Sequence, residues 1–296
     1  VADLYDRTLV LFDHRDASVA SDGRLDELQQ VLLPRLPNIN CVVYKVRSAA
    51  KTSQRNGAII HGEAPAESIT EFGVHYAINL RLNRDASFYL DTRLLRRWLL
   101  QNSQGLRVLN CFAYTGSLGV AALAGGAQQV VQTDRSRIFL ELARTSCLLN
   151  NLEPGRMSLH IQDFFPEVSQ LKRKGEPFDL VLLDPPFFSV TERGRVDQQA
   201  YSARLVNKVR PLVNHNGRIV LVNNSLYLSG GDFLRSINEL CADGYLALEE
   251  RISVPEDVTG WPSTIHGQPP VSPAPFNHPT KIVVLKVKRK DGNPPM

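Results

Sequence analysis

From Gly105 onward the chain alternates short stretches of strand character with helical ones, and polar residues stand where most of the strands end. Arg107–Cys111, Gln129–Thr133, Ser158–Gln162, Asp179–Leu183 and Arg218–Val222 read as strands, with Leu246–Ile252 and Lys281–Val287 completing the set. Helices are expected over Gly119–Ala124, Arg137–Asn150, Tyr201–Val209 and Asp232–Ala242. This rhythm requires an α/β fold, a mostly parallel sheet covered on both faces by helices. Ligands of such sheets bind beyond the carboxyl ends of the strands. Asn110, Asp134, Asp163, Asp184 and Asn223 all fall there, so one crevice is expected to collect them. Any one of them alone is an ordinary helix cap; five in series describe a site.

The fourth strand runs straight into Asp184-Pro185-Pro186-Phe187-Phe188. Two prolines cannot continue a ladder, so the strand stops with a carboxylate at its end and a stiff, donor-poor turn after it. Asp184 and a turn carbonyl suit the N–H groups of a planar nitrogen-containing substrate, with Phe187 stacking on its face. The same residues also describe a buried strand with a capping acid.

The loop Phe112–Gly119 follows the first of these strands and carries a glycine at a strand-to-helix turn, and Asp134 ends the next strand about 20 residues on, where an acid takes ribose hydroxyls. Phe112, Ala113 and Tyr114 stand where a dinucleotide fingerprint needs its first glycines, and the chain has no G-x-x-x-x-G-K-[ST]. Pyrophosphate finds little cradle in such a loop. An adenosine-bearing cofactor without phosphate fits better: S-adenosylmethionine offers ribose to Asp134, an adenine amino group to Asp163 and an amino-acid tail to Asn110–Gly116.

Composition is that of an ordinary globular chain, with 296 residues, 43% hydrophobic and 22% charged. No run of about 18 apolar residues and no leader pattern points to a membrane or to secretion. Cys41, Cys111, Cys147 and Cys241 lie scattered in apolar surroundings without a C-x-x-C pair, which fits reduced thiols, a cytoplasmic location and no metal site. A net charge of +4 is compatible with a polyanionic partner without requiring one. The chain opens on Val1 rather than Met, which leaves open what precedes it.

Residues 1–80 read as a small α+β subdomain with strands at Arg7–Phe12, Cys41–Val46, Ala58–His61 and Phe72–Leu80 and a helix over Leu25–Leu33. Its histidines, His14 and His61 with His75, are isolated. Residues 81–104 form a connecting segment with a helix over Leu94–Leu100, and 105–296 the large domain. Asp91 suits a cap of the connecting helix, and Arg93, Arg96 and Arg97 its solvated face.

Taken together, Phe88-Tyr89-Leu90-Asp91-x-Arg93, the run Val108–Gly116, Asp134, Asp163 and Asp184-Pro185-Pro186-Phe187 resemble the class I S-adenosylmethionine-dependent methyltransferases that modify large-subunit ribosomal RNA. Within these, the resemblance is to the group containing a 5-methylcytosine enzyme and a 7-methylguanine enzyme. It implies a Rossmann-like, seven-stranded, mostly parallel methyltransferase sheet, with the amino-terminal unit similar to the family's central β-rich subdomain. The family's amino-terminal RNA-binding extension has no counterpart in these residues. The expected cofactor set is Asp91, Arg93, Asn110, Phe112, Ala113, Tyr114, Thr115, Gly116, Asp134, Arg135, Ser136, Asp163, Phe164 and Asp184. The expected catalytic turn is Asp184, Pro185, Pro186 and Phe187.

Methyl transfer from a sulfonium carries its own leaving group, so positioning dominates and no metal is needed. Cytosine C5 differs, because a cysteine must first add to the ring. The 5-methylcytosine relatives carry that cysteine in a Cys-Ser pair after the fifth strand, where this chain reads Asn223-Asn224-Ser225. Nitrogen methylation is therefore expected on an extruded base of ribosomal RNA, and the resemblance of the 7-methylguanine relatives at the Asn223-Asn224 pair implies that guanine is favoured. Phe187, Phe188, Asn223, Asn224, Phe276, Asn277 and His278 form the expected substrate wall, although the asparagines equally suit closing a strand end and the proline-rich Val254–Pro279 a stiff surface excursion. Ser189–Arg195, Arg204, Lys208 and Arg210 suit phosphate contact or a plain charged helix. Two other readings stand beside this one: a methyltransferase of the same fold acting on a protein side chain or small molecule, and a non-catalytic RNA-binding or assembly factor.

Overall fold

The computed structural model describes residues 1–15, 24–186, 198–260 and 269–289. Phe187, Phe188, Ser189–Arg195, Trp261 and His266 lie outside them. The chain forms two compact units, Val1–Tyr89 and Leu90–Met296.

In the first unit, β1 (Ala2–Tyr5), β2 (Thr8–Asp13), β3 (Cys41–Val46) and β4 (Ala58–His61) pair in that order, with only the central β2–β3 ladder parallel. Leu9, Leu11 and Val42 form a core under the helix α1 (Arg24–Leu32); α2 (Thr52–Asn56) is a single short turn. The expected strand Phe72–Leu80 is instead half of a hairpin, β5 (Ser68–Glu71) and β6 (Val74–Ala77). Phe72 and Gly73 both take positive φ, 51° and 78°, as a two-residue hairpin turn of right-handed twist demands. A phenylalanine at that turn hid it from the sequence pattern.

The second unit begins with α3 (Arg93–Asn102) and then alternates: β7 (Arg107–Cys111), α4 (Ser117–Ala124), β8 (Gln129–Asp134), α5 (Arg137–Leu149), β9 (Met157–Ile161), α6 (Phe164–Lys174), β10 (Phe178–Leu183), α7 (Gln198–Val209), β11 (Val213–Asn223), α8 (Gly230–Cys241), β12 (Leu246–Ile252), α9 (Glu256–Thr259) and β13 (Lys281–Val287). Among the described residues seven strands make one sheet in the order β12-β13-β11-β10-β7-β8-β9. β9, β8, β7, β10 and β11 are parallel, and β13 runs antiparallel to β11 and β12. This is the seven-stranded, mostly parallel α/β sheet expected. The chain moves outward from β7 in both directions, so strand order reverses between β7 and β10, where a crevice must open.

Helix α6 had no counterpart in the sequence reading because Pro166 interrupts its pattern. Proline is tolerated in a first turn, and Gly175 stops the helix in the left-handed region at φ 71°. Phe164, Val168 and Leu171 join Val181, Leu183, Leu205 and Val209 in one buried layer beneath the sheet. On the opposite face α4 is buried all round, with Gly116 and Gly119 so close to β8 that an added Cβ would stand 2.8 and 2.4 Å from Gln132. Among the described residues no helix is long and apolar enough to cross a membrane.

Gly125 closes α4 against α3, where a Cβ would lie 2.7 Å from the Leu100 backbone. Its φ of −76° is ordinary for any residue, so sterics alone set the outcome. Gly125→Ala is expected to destabilise the fold by about 2 kcal/mol in urea unfolding, and a neutral result would mean that α3 yields at that contact.

Candidate active site

Each strand end contributes one wall of the crevice. At β7 the chain turns sharply: Phe112, Tyr114 and Gly116 all take positive φ, 58°, 51° and 76°. Three bonds hold this loop. Ala113 N–H donates to the Thr133 carbonyl at 2.9 Å, Gly116 N–H to the Ala113 carbonyl at 2.7 Å, and Tyr114 N–H to Asp134 Oδ2 at 2.9 Å. Asp134 Oδ1 accepts from Ser136 N–H at 2.9 Å, so one carboxylate fixes both the loop and the start of α5. Thr115 is buried behind the loop. The Phe112 ring stacks on Phe164, centroids 4.9 Å apart, and Tyr114 meets Phe139 edge-on.

Asn110 is buried at the end of β7 and donates Nδ2–H to Gln132 Oε1 at 3.0 Å, while its own Oδ1 has no partner. A buried acceptor left over is costly unless a donor from outside the chain meets it. At β9, Asp163 starts α6 without capping it through its side chain and stays about half exposed. Arg135 is highly exposed, its Nε 3.7 Å from Asp163 Oδ2.

The Asp184 turn faces this loop from the neighbouring strand, since Leu183 pairs with Cys111. Pro185 is buried and Pro186 exposed. Asp184 accepts from Asn224 Nδ2–H at 3.0 Å, and Asn224 Oδ1 is buried without a partner. Burial, and next the negative charge of Asp91, push the Asp184 carboxyl up to about 7 against the opposing pull of the Asn224 bond. Asp91 does not act as the N-cap of α3: Thr92 holds that place, and Asp91 Oδ2 accepts from Thr280 Oγ1–H at 2.7 Å. Arg93 pairs with Asp257 at 2.6 Å.

The other expected wall residues divide by what they bond. Asn223 is buried, donating to Ser202 Oγ at 3.3 Å and accepting from Ser225 N–H at 3.1 Å, so its amide closes the strand end. Asn277 grips both backbone groups of Val254, at 2.7 and 3.1 Å. Phe276 is buried against Phe233. His278 Nδ1 accepts from Thr280 N–H at 3.0 Å, and burial lowers its pKa despite nearby Asp91.

Three residues here escaped sequence reasoning. Gln132 bridges Asn110 to Met157 Sδ from the middle of an apolar strand. Thr280 tethers Asp91. Lys281, fully buried opposite Asn223, donates to the Ser225 and Pro279 carbonyls, and burial lowers its pKa to about 8. The available signals were a glutamine after the Val130-Val131 pair of β8 and a lysine opening the apolar run of β13.

A family model described as S-adenosylmethionine-dependent methyltransferase matches residues 52–261. A ribosomal RNA large subunit methyltransferase I from Aeromonas salmonicida is 38% identical over 58% of this chain and 44% of its own length. One from Shewanella frigidimarina is 29% identical over 74% of this chain and 56% of its own length. The chain spans about half the length of the curated relatives it matches. Among solved structures, a chain from Streptococcus mutans aligns with a TM-score of 0.80 at 21% identity, covering 97% of this chain and 70% of that one. A methyltransferase from Agrobacterium tumefaciens gives 0.61 at 20% identity, with 90% and 80% covered.

Because the folded state holds the Asp184 proton more tightly than the unfolded chain, that group's stabilising contribution is complete below about pH 4 and is lost as pH rises through about 7. Asp184→Asn, which does not titrate, is expected to gain on the wild type across that window by about 2 to 4 kcal/mol. Urea titrations at several pH values measure this, and a stability difference that does not change with pH would refute it.

Proposed function

The chain belongs to the family of S-adenosylmethionine-dependent methyltransferases, and from that premise we propose that it methylates a base nitrogen of ribosomal RNA, guanine being favoured. When bound, the cofactor supplies an electrophilic methyl group on its sulfonium. The residues present fit it: Asn110 Oδ1 offers an unmet acceptor for an ammonium, the left-handed Phe112–Gly116 loop holds its backbone in place, and Asp134 and Asp163 offer carboxylates for ribose hydroxyls and an adenine amino group.

The observation that carries the substrate reading is the Asp184–Asn224 pair. Asp184 can hold or release a proton near neutral pH, and Asn224 Oδ1 stands ready to accept from a substrate N–H. Together they suit the amide-like edge of a base and aim its nitrogen lone pair. A ring nitrogen such as guanine N7 has no proton to lose, so the chain need only position it.

Carbon methylation is disfavoured by the thiols. Cys111 and Cys147 are buried and Cys241 half-buried, and burial pushes each upward, Cys147 to about 11. A protonated thiol inside a helix or strand is no nucleophile. The ribosomal RNA target is supported by what the curated relatives are named for.

Asp184→Ala is expected to lower radiolabelled methyl transfer to ribosomal RNA by at least about 100-fold with the fold retained, and Asn224→Ala by about 10-fold. Serine at Cys111, Cys147 and Cys241 should leave the rate within about threefold, with mapping of the product to a base nitrogen. Near-normal transfer by Asp184→Ala, or a C5-methylated pyrimidine, would overturn the assignment.

A further inference from the structure

Several surface cations of the second unit are matched to carboxylates. Arg107 pairs with Glu176 at 2.8 Å, Arg210 with Asp243 at 3.0 Å, Arg218 with Glu249 at 2.7 Å and Arg235 with Asp232 at 2.8 Å. The seam between α6 and α7 instead gathers several cations that have no such partner among the described residues. Helix α7 contains no acidic residue, and the single acid of α6, Glu167, is turned inward and bonded to His160 at 2.6 Å. What remains outward is Lys172, Arg173, Lys174 and Arg204, with Lys208 half-buried beside them. Among the described residues no carboxylate pairs with any of the five.

Helical spacing organises these charges. Phe165, Ser169 and Lys172 share one row of α6, and Arg204 and Lys208 share one row of α7. At one end the Arg204 guanidinium sits 4.7 Å from the centre of the Phe165 ring. At the other end Lys172 is depressed first by partial burial and then by the charge of Lys208, so two ammonium groups are held near one another with no counter-ion among the described residues. The helix dipole explains cations in the last turn of α6. It does not explain a second row facing them from another helix. As crossover helices of a parallel sheet, α6 and α7 both run back from the crevice end, so the row starts at the crevice, beside Asp163 and Phe164, and leads away from it.

We propose that the α6–α7 seam, from Arg204 and Phe165 to Lys208 and Lys172, is the track that carries the phosphate backbone of the RNA whose base enters the crevice. This deepens the ribosomal RNA reading above and rests on it. Arg204 over an aromatic ring adds a planar face on which a flanking base can stack, and the lysines neutralise the phosphates beyond it. An anionic membrane surface would meet the same charges, but it offers nothing to the ring at the crevice end.

The test uses the full chain and a fluorescent single-stranded RNA of about 20 nucleotides. Removing one cation that neutralises a phosphate should lower the slope of log affinity against log salt by about 0.7, so R204Q/K208Q/K172Q should give up about 2 from the slope and more than about tenfold in affinity at low salt. The charge-retaining R204K/K208R/K172R should keep the slope, and S-adenosylmethionine binding by calorimetry should be unchanged in both variants. Unchanged RNA affinity and slope in the glutamine variant, in a protein that methylates RNA, overturns the track while leaving the substrate reading intact. A wild type that neither binds nor methylates RNA overturns both. A glutamine variant that loses binding only to phosphatidylserine vesicles assigns the seam to a membrane surface and overturns the track as well.

Discussion

A strand sandwiched between two helical layers has nowhere to place a polar side chain except its ends. β10 illustrates the constraint: Leu180, Val181, Leu182 and Leu183 are wholly buried, and its acids stand on either side of them, Asp179 near the start and Asp184 one residue past the ladder. β7 and β11 likewise place Asn110 and the Asn223-Asn224 pair toward their carboxyl ends, and β8 ends on Asp134 although it also buries Gln132. The crevice is therefore less an addition to the fold than the place to which the fold exiles its polarity. Because β7 and β10 diverge in their connections, that exile also leaves space for a ligand.

Where polarity does enter the layers, it is bonded closely. Gln132 lies wholly buried in β8, and the helix beside it carries glycine at the two positions that would otherwise collide with it. Its amide reaches Asn110 on the next strand and leaves Asn110 with one unspent acceptor. Burying a polar group without a partner costs about 1 to 3 kcal/mol, so such an atom persists where binding recovers the loss. Asn224 repeats the pattern on the substrate side, spending its donor on Asp184 and keeping its acceptor.

The sheet was legible because period and punctuation agreed: apolar runs of strand length ended in acids, amides or prolines. Helix α6 was hidden by Pro166, and the first-unit hairpin by Phe72, since both place residues in conformations their types seldom signal. At the site, the strand-end acids could be read from position alone, but the division of labour could not. Asn223 and Asn224 are identical in sequence terms, yet one is consumed by Ser202 and Ser225 and the other turns to Asp184. Asp91 likewise looked like a helix cap, and its bond to Thr280 spans 189 residues, a separation no local pattern reports. Lys281 was missed for a different reason: it opens an apolar strand, but its acceptors are backbone carbonyls, which sequence does not distinguish.

The strand that follows Thr280 and opens on Lys281 comes after the other six in chain order, yet it lies inside the sheet, between β11 and β12. Synthesis from the ribosome therefore delivers the Asp184 turn, Asn224 and the Phe112–Gly116 loop well before the segment that tethers Asp91 and clamps the Ser225 backbone. Until β13 inserts, β11 has an open edge and the crevice lacks its far wall. Completion of the crevice thus waits for β13: a chain truncated before residue 280 keeps Asp184 and Asn224 but lacks the strand that pairs with β11 and the hydroxyl that holds Asp91.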